Sequence, residues 1–185
     1  LASLIGMLFV RVKEGGRPGT SLNLGTVITC ALLAVFVVIV VLLGDYSLGV
    51  MWAAVAGIVT GVIIGFTSDY YTSDNTNPVK YTAKVSTSGS AINIITGFSY
   101  GLVSVVPSIV GIVVATVISF YTAEAAGISG VYGVGIAAVG LLSVSGMIVS
   151  SDAYGPIVDN ARGIAEMAGM DEDVIEKCDV LDSAG

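Results

Sequence analysis

The sequence predicts an all-α fold, a polytopic bundle of transmembrane helices, and three observations carry that expectation. Over half of the residues are hydrophobic (55%), only 11% are charged, and the mean hydropathy is +0.94, whereas a soluble domain carries about a quarter charged residues. The charges are clustered, so that Pro18–Gly44, Tyr46–Ser68, Val85–Ala123 and Ala125–Ser151 contain none. Each window exceeds the roughly 20 residues that a helix needs to cross a ~30 Å hydrocarbon layer, and in lipid a run of this kind satisfies its own backbone groups only as a helix.

Taken in order, the uncharged stretch Leu1–Val10 is too short to span and reads as the end of a fifth helix, over 1–10. It has neither the basic leader nor the small-residue cleavage pattern of a signal peptide. Four full helices follow, over 22–43, 46–66, 91–120 and 128–168, and residues 1–185 are expected to form one transmembrane region. Because the chain starts in mid-helix and stops without a closing apolar run, it reads as the central piece of a larger protein. Gly57, Gly61 and Gly65 recur every fourth position, and Gly97 with Gly101 repeats the spacing. Stripes of this kind let helix backbones approach closely in a bundle. Pro107 removes a backbone donor from the middle of its helix, so a kink or local unwinding is expected there. Cys30 lies in the first full helix and Cys178 in the acidic tail, and they are not expected to meet.

All seven basic residues fall in three places: Arg11, Lys13 and Arg17; Lys80 and Lys84; Arg162 and Lys177. With four crossings these lie on one side of the membrane, and the connections around Asp45 and Glu124 lie on the other. The positive-inside rule makes the basic side cytoplasmic. The net charge of −7 arises mainly in Asp171–Asp182, which reads as a solvated acidic loop. Nothing here points to a nucleic-acid partner.

The most specific stretch is Ser151-Asp152-Ala153-Tyr154-Gly155-Pro156-Ile157-Val158-Asp159-Asn160-Ala161-Arg162-Gly163-Ile164-Ala165-Glu166-Met167. Asp152, Asp159 and Glu166 recur every seven residues, which on a helix stacks three carboxylates along one face. Acids at the mouth of a membrane helix either mark an ion, metal or proton site or cap and solubilise the helix end. The chain has no histidine, and oxygen-only donors select Mg2+ or Ca2+, Mg2+ sharing its shell with phosphate oxygens and water.

The segment Asp152–Met167 resembles the signature of the membrane-integral, ion-pumping pyrophosphatases, approximately D-A-Y/F-G-P-x-x-D-N-A-G-G-I-A-E-M. A second block, Asp69-Tyr70-Tyr71-Thr72-Ser73, Pro78-Val79, Ser86-Thr87-Ser88-Gly89 and Asn93-Ile94-Ile95-Thr96-Gly97, is similar to that family's E-Y-Y-T…P-V…S-x-T-G…T-N-I-I-x-G run. The tail from Asp179 to Gly185 resembles T-D-x-L-D-A-x-G. Asp69 replaces the usual Glu, Ser88 and Ile92 replace Thr, Arg162 replaces a Gly, and Ser183-Ala184 departs from Ala-x. Arg162 stands three residues after Asp159 and can pair with it or with a neighbouring acid.

The resemblance implies a homodimer of about sixteen helices per subunit. It implies hydrolysis of magnesium pyrophosphate on the cytoplasmic face, coupled to outward pumping of Na+ or H+ across the lipid bilayer. Mg2+ is the implied cofactor and K+ a candidate activator. By the same resemblance Asp159 and Asp182 are the candidate Mg2+ ligands. Asp159 and Asp152 are the candidate catalytic carboxylates, and Asn160 is the candidate near the substrate; Glu166 reads as structural. The alternatives are a secondary transporter, whose buried acids would lie near the bilayer midplane rather than at a helix end, and a non-catalytic membrane subunit.

Overall fold

The computed structural model describes residues 1–13 and 16–182; the first connection around Gly15 and the Ser183-Ala184 pair lie outside them. The described residues form α1 Ala2–Met7, α2 Pro18–Leu43, α3 Leu48–Thr72, α4 Asn77–Val85, a 3-10 turn Ser86–Ser88, α5 Ser90–Ala125, α6 Gly130–Leu142, α7 Ser145–Met167 and α8 Glu172–Asp182, with no strand among them. Four stretches are long and apolar enough to cross a membrane: Pro18–Leu43, Leu48–Ser88, Ser90–Ala125 and Gly130–Met167. The all-α expectation therefore holds, and each uncharged window lies within one of these stretches or runs only a few residues past it.

Three local differences have physical causes. The last expected helix, over 128–168, is interrupted at Ser143–Val144, where the Ser143 hydroxyl donates to the Gly140 carbonyl at 2.6 Å and Ser-Val-Ser-Gly replaces the leucines before it. Side chains that bond nearby backbone compete with helical continuation. The acidic tail is the helix α8 rather than a loop, because Val174, Ile175, Cys178 and Leu181 form a half-buried stripe at helical spacing. Glu172 and Asp173 in its first turn suit the positive end of the helix dipole. Through Pro107, α5 continues as one helix from Ser90 to Ala125, so the expected local unwinding does not occur although the proline's own backbone bond is absent.

The chain divides into two compact units, Leu1–Leu33 with Val144–Gly185, and Ala34–Ser143. In the second unit α3, α5 and α6 pack mutually, and their seam is built of the smallest residues. A Cβ added at Gly57 would strike the Ala137 carbonyl, one at Gly140 that of Ala54, one at Gly133 that of Ser119, and one at Gly49 that of Thr122. Ala53, Ala54, Ala115, Ala123 and Ala137 are buried beside them. The large side chains point outward: Ile94, Ile95, Leu102, Val106, Ile109 and Val113 of α5 are about half or more exposed. Small inside and large outside is the packing of helices whose solvent is itself apolar. The glycine stripe read from the sequence is thus half right: Gly57 and Gly61 are buried, whereas Gly65 and Gly101 face open space.

Several polar groups inside this unit find partners nearby. Thr60 donates to the Gly111 carbonyl across α3 and α5 at 3.4 Å, and Ser119 to the Ala115 carbonyl at 2.7 Å. Ser47 caps α3 by accepting from the Gly49 amide at 3.2 Å. The carboxylate of Glu124 accepts from the Gly130 amide at 2.7 Å, closing the first turn of α6. In the other unit α1 and α7 touch and α7 pairs with α8; both cysteines are free.

Candidate functional site

The candidate residues collect on α7 and α8. Met147, Gly155, Val158 and Ala165 are the buried positions of α7, and this one-sided burial turns Asp152, Asp159 and Glu166 to the exposed side, with Asn160 also exposed. The seven-residue spacing therefore does what the sequence suggested, lining three acids along the accessible part of one helix. Pro156 lies inside that helix and has no N–H to offer the carbonyl four residues earlier, that of Asp152. The backbone carbonyl of Asp152 thus lacks its usual helical donor.

The helix ends in a tight reversal. Gly169 takes a left-handed φ of +66°, and the amides of Gly169 and Met170 donate to the carbonyls of Glu166 and Ala165 at 3.1 and 3.0 Å. This is a glycine-terminated cap in which a Cβ would be strained. It lets α8 fold back against α7, with which it packs.

Arg162 is the junction of the hairpin. Its Nη1 donates to Glu166 Oε2 at 3.1 Å, one turn along α7, and its Nε donates to Asp179 Oδ1 on α8. Asp159 adds a weaker Coulomb attraction from one turn earlier. Of the partners the sequence allowed, the guanidinium thus bonds the neighbouring acid Glu166 and not Asp159, and it adds Asp179, which the sequence did not point to. Lys177 of α8 pairs with Asp173 at 3.5 Å, a solvated surface pair. Asp182 is half-buried near the end of α8. Among the described residues no group of three or more His, Cys, Asp and Glu side chains converges on a common metal position.

The second sequence block makes a separate feature in the other unit. The end of α3, α4 and the start of α5 enclose a cavity of about 480 Å3, whose lining includes Tyr71, Thr72, Pro78, Asn93, Gly97 and Tyr100. Tyr71 and Tyr81 both stand 6.3 Å from Tyr100, centroid to centroid. The Oδ1 of Asn93 is buried there with no hydrogen-bond partner among the described residues. Tyr71 and Asn93 belong to the second motif block, whose spacing carries no sign that they share a cavity; Tyr100 and Tyr81 lie outside it and have no signal in the sequence.

The profile of the inorganic H+ pyrophosphatase family matches residues 1–185. The chain is 40% identical to the K(+)-insensitive pyrophosphate-energized proton pump of Methanosarcina mazei, over the whole chain and 28% of that relative. It is 38% identical to the protein of the same name from Caldanaerobacter subterraneus subsp. tengcongensis, again over the whole chain and 28% of the relative. It is 36% identical to the K(+)-stimulated pyrophosphate-energized sodium pump of Thermotoga maritima, over 99% of the chain and 26% of the relative. The chain thus spans little more than a quarter of the length of the relatives it matches.

Proposed function

The chain belongs to the inorganic H+ pyrophosphatase family, and from that premise we propose that it is part of a membrane pump. In this reading the complete protein hydrolyses magnesium pyrophosphate on the cytoplasmic face and moves Na+ or H+ outward, as a homodimer. The observation that supports this most directly is the whole-chain match together with the exposed acids of the Asp152–Met167 signature on α7. The one-sided placement of all seven Lys and Arg residues supports a cytoplasmic position for that end of α7.

The donors present suit Mg2+. Asp159 and Asp182 offer oxygen only, in a chain without histidine, and Mg2+ is ordinarily held by one or two carboxylates with phosphate and water completing the shell. When bound, Mg2+ neutralises phosphoryl charge and polarises the phosphoryl oxygens. Asp159 and Asp182 would hold it. Asp152, one heptad before Asp159, serves as the second catalytic carboxylate, and Asn160 next to Asp159 offers an amide to a phosphate oxygen. K+ is the activator in the K(+)-stimulated relatives by name, and the same role is open to it here.

Asp159→Asn in the complete protein, inserted in vesicles, keeps shape and one oxygen but removes the charge. Hydrolysis and ion uptake are expected to fall together by on the order of a hundredfold, since each ~1.4 kcal/mol of lost stabilisation is about tenfold in rate. Asp171→Asn is the matched control and stays near wild type. Near-normal hydrolysis by a correctly inserted Asp159→Asn protein at limiting Mg2+ would reduce Asp159 to a solubilising charge.

A further inference from the structure

We infer that Arg162 is a positioning residue: by bonding Asp179 it sets the register of the α7–α8 hairpin that brings Asp159 and Asp182 level with one another. The inference rests on the reading of those two carboxylates as the Mg2+ pair. Three observations lead to it. Arg162 bonds Asp179 across the hairpin and Glu166 along its own helix. Asp159 stands three residues before Arg162, and Asp182 three residues after Asp179. The two helices are joined by the short reversal at Gly169, and their packing together with a bond between Arg162 and Asp179, both well away from the turn, means that α8 folds back along α7.

In such a hairpin, N-terminal steps on one helix and C-terminal steps on the other move in the same direction. Stepping back three residues on α7 and forward three on α8 moves each by the same distance along the shared axis, about 1.5 Å per residue. Residues three apart also stay on the same face of their helix. A guanidinium that locks 162 to 179 therefore locks 159 opposite 182, and a slip of α8 by one turn would carry Asp182 away by about 5.4 Å. The fork of the guanidinium suits this role, because it holds two carboxylates in fixed directions at once. Glu166 fixes the arginine's own rotamer from the adjacent turn, so the reach to Asp179 starts from an anchored group.

The test uses the complete protein in membranes and has two readouts. In a Cys178→Ser background, Asp159→Cys with Asp182→Cys is treated with a short bis-maleimide, and the α7–α8 cross-link is followed by mass spectrometry. Cross-linking is expected to be fast with Arg162 present, slower in Arg162→Ala, and restored in the charge swap Arg162→Asp with Asp179→Arg. With Asp159 and Asp182 intact, Arg162→Ala is expected to raise the Mg2+ concentration for half-maximal hydrolysis by on the order of tenfold, the usual effect of losing a group that orients metal ligands. The rate at saturating Mg2+ falls less than this, and the swap returns both values toward wild type. Equal cross-linking with and without Arg162, or an unmoved Mg2+ half-saturation, overturns the inference. Failure of the metal reading has its own signature, near-normal hydrolysis by Asp159→Asn, and leaves the cross-link to judge the register independently.

Discussion

At the scale of single residues, the two candidate metal carboxylates and their acidic neighbours differ in what holds them. Glu166 is bonded to Arg162 at 3.1 Å, so it serves the arginine rather than a substrate. Asp182→Asn is expected to raise the Mg2+ half-saturation of the complete protein on the order of tenfold, and Glu166→Gln to shift it much less; equal shifts in the two titrations would contradict the division of roles. The acids themselves were legible in the sequence, because their spacing of seven needs only the helical repeat. Their partners were not. Arg162 had acids three residues before and four after it on the chain, and its choice of Asp179 depends on a reversal at Gly169 that only the folded hairpin supplies. Asn93 and Tyr100 illustrate the same limit: their shared cavity joins three helices, and no local pattern encodes which faces of those helices meet.

Helices were read from the absence of charge, which finds long apolar spans and is blind to short polar ones. That is why α4, with two lysines in nine residues, and α8, dense in acids, went unread although α8 carries an apolar stripe at helical spacing. The interruption at Ser143–Val144 had a signal in Ser143, Ser145 and Gly146, but hydropathy averaged over the window hides it. Within the Ala34–Ser143 unit, the close approach of α3 and α6 depends on Gly57. Gly57→Leu is expected to destabilise the complete protein by about 1–3 kcal/mol through overpacking, read as a lowered midpoint in thermal or denaturant unfolding. Gly135→Leu, which meets open space, is the control and leaves the midpoint nearly unchanged. Glu124→Ala, which deprives the α6 N-terminus of its acceptor, is expected to cost about 1 kcal/mol by the same measurement.

For the molecule as a whole, the distribution of Lys and Arg is the feature with the widest reach, since it orients every helix at once. A cysteine at Asn75 is expected to react with an impermeant maleimide only from the cytoplasm, and one at Ala125 only from outside; reaction of Asn75→Cys from outside would invert the topology. The inward-facing glycines and alanines and the outward-facing Ile, Leu and Val residues of α3, α5 and α6 carry a consequence for how such a sequence drifts over generations. Within the described residues nothing packs tightly on Ile94, Leu102 and Val106, so exchange among apolar residues of similar bulk there leaves this unit's own packing intact. At Gly57, Gly133 and Gly140 a neighbouring backbone occupies the place of a side chain, and replacement by anything beyond the smallest residues requires a second change across the seam. The lineage is therefore expected to record freer divergence on the outward face of this unit and coupled, rarer exchanges along the seam, where one helix's backbone fills the place of another's side chain.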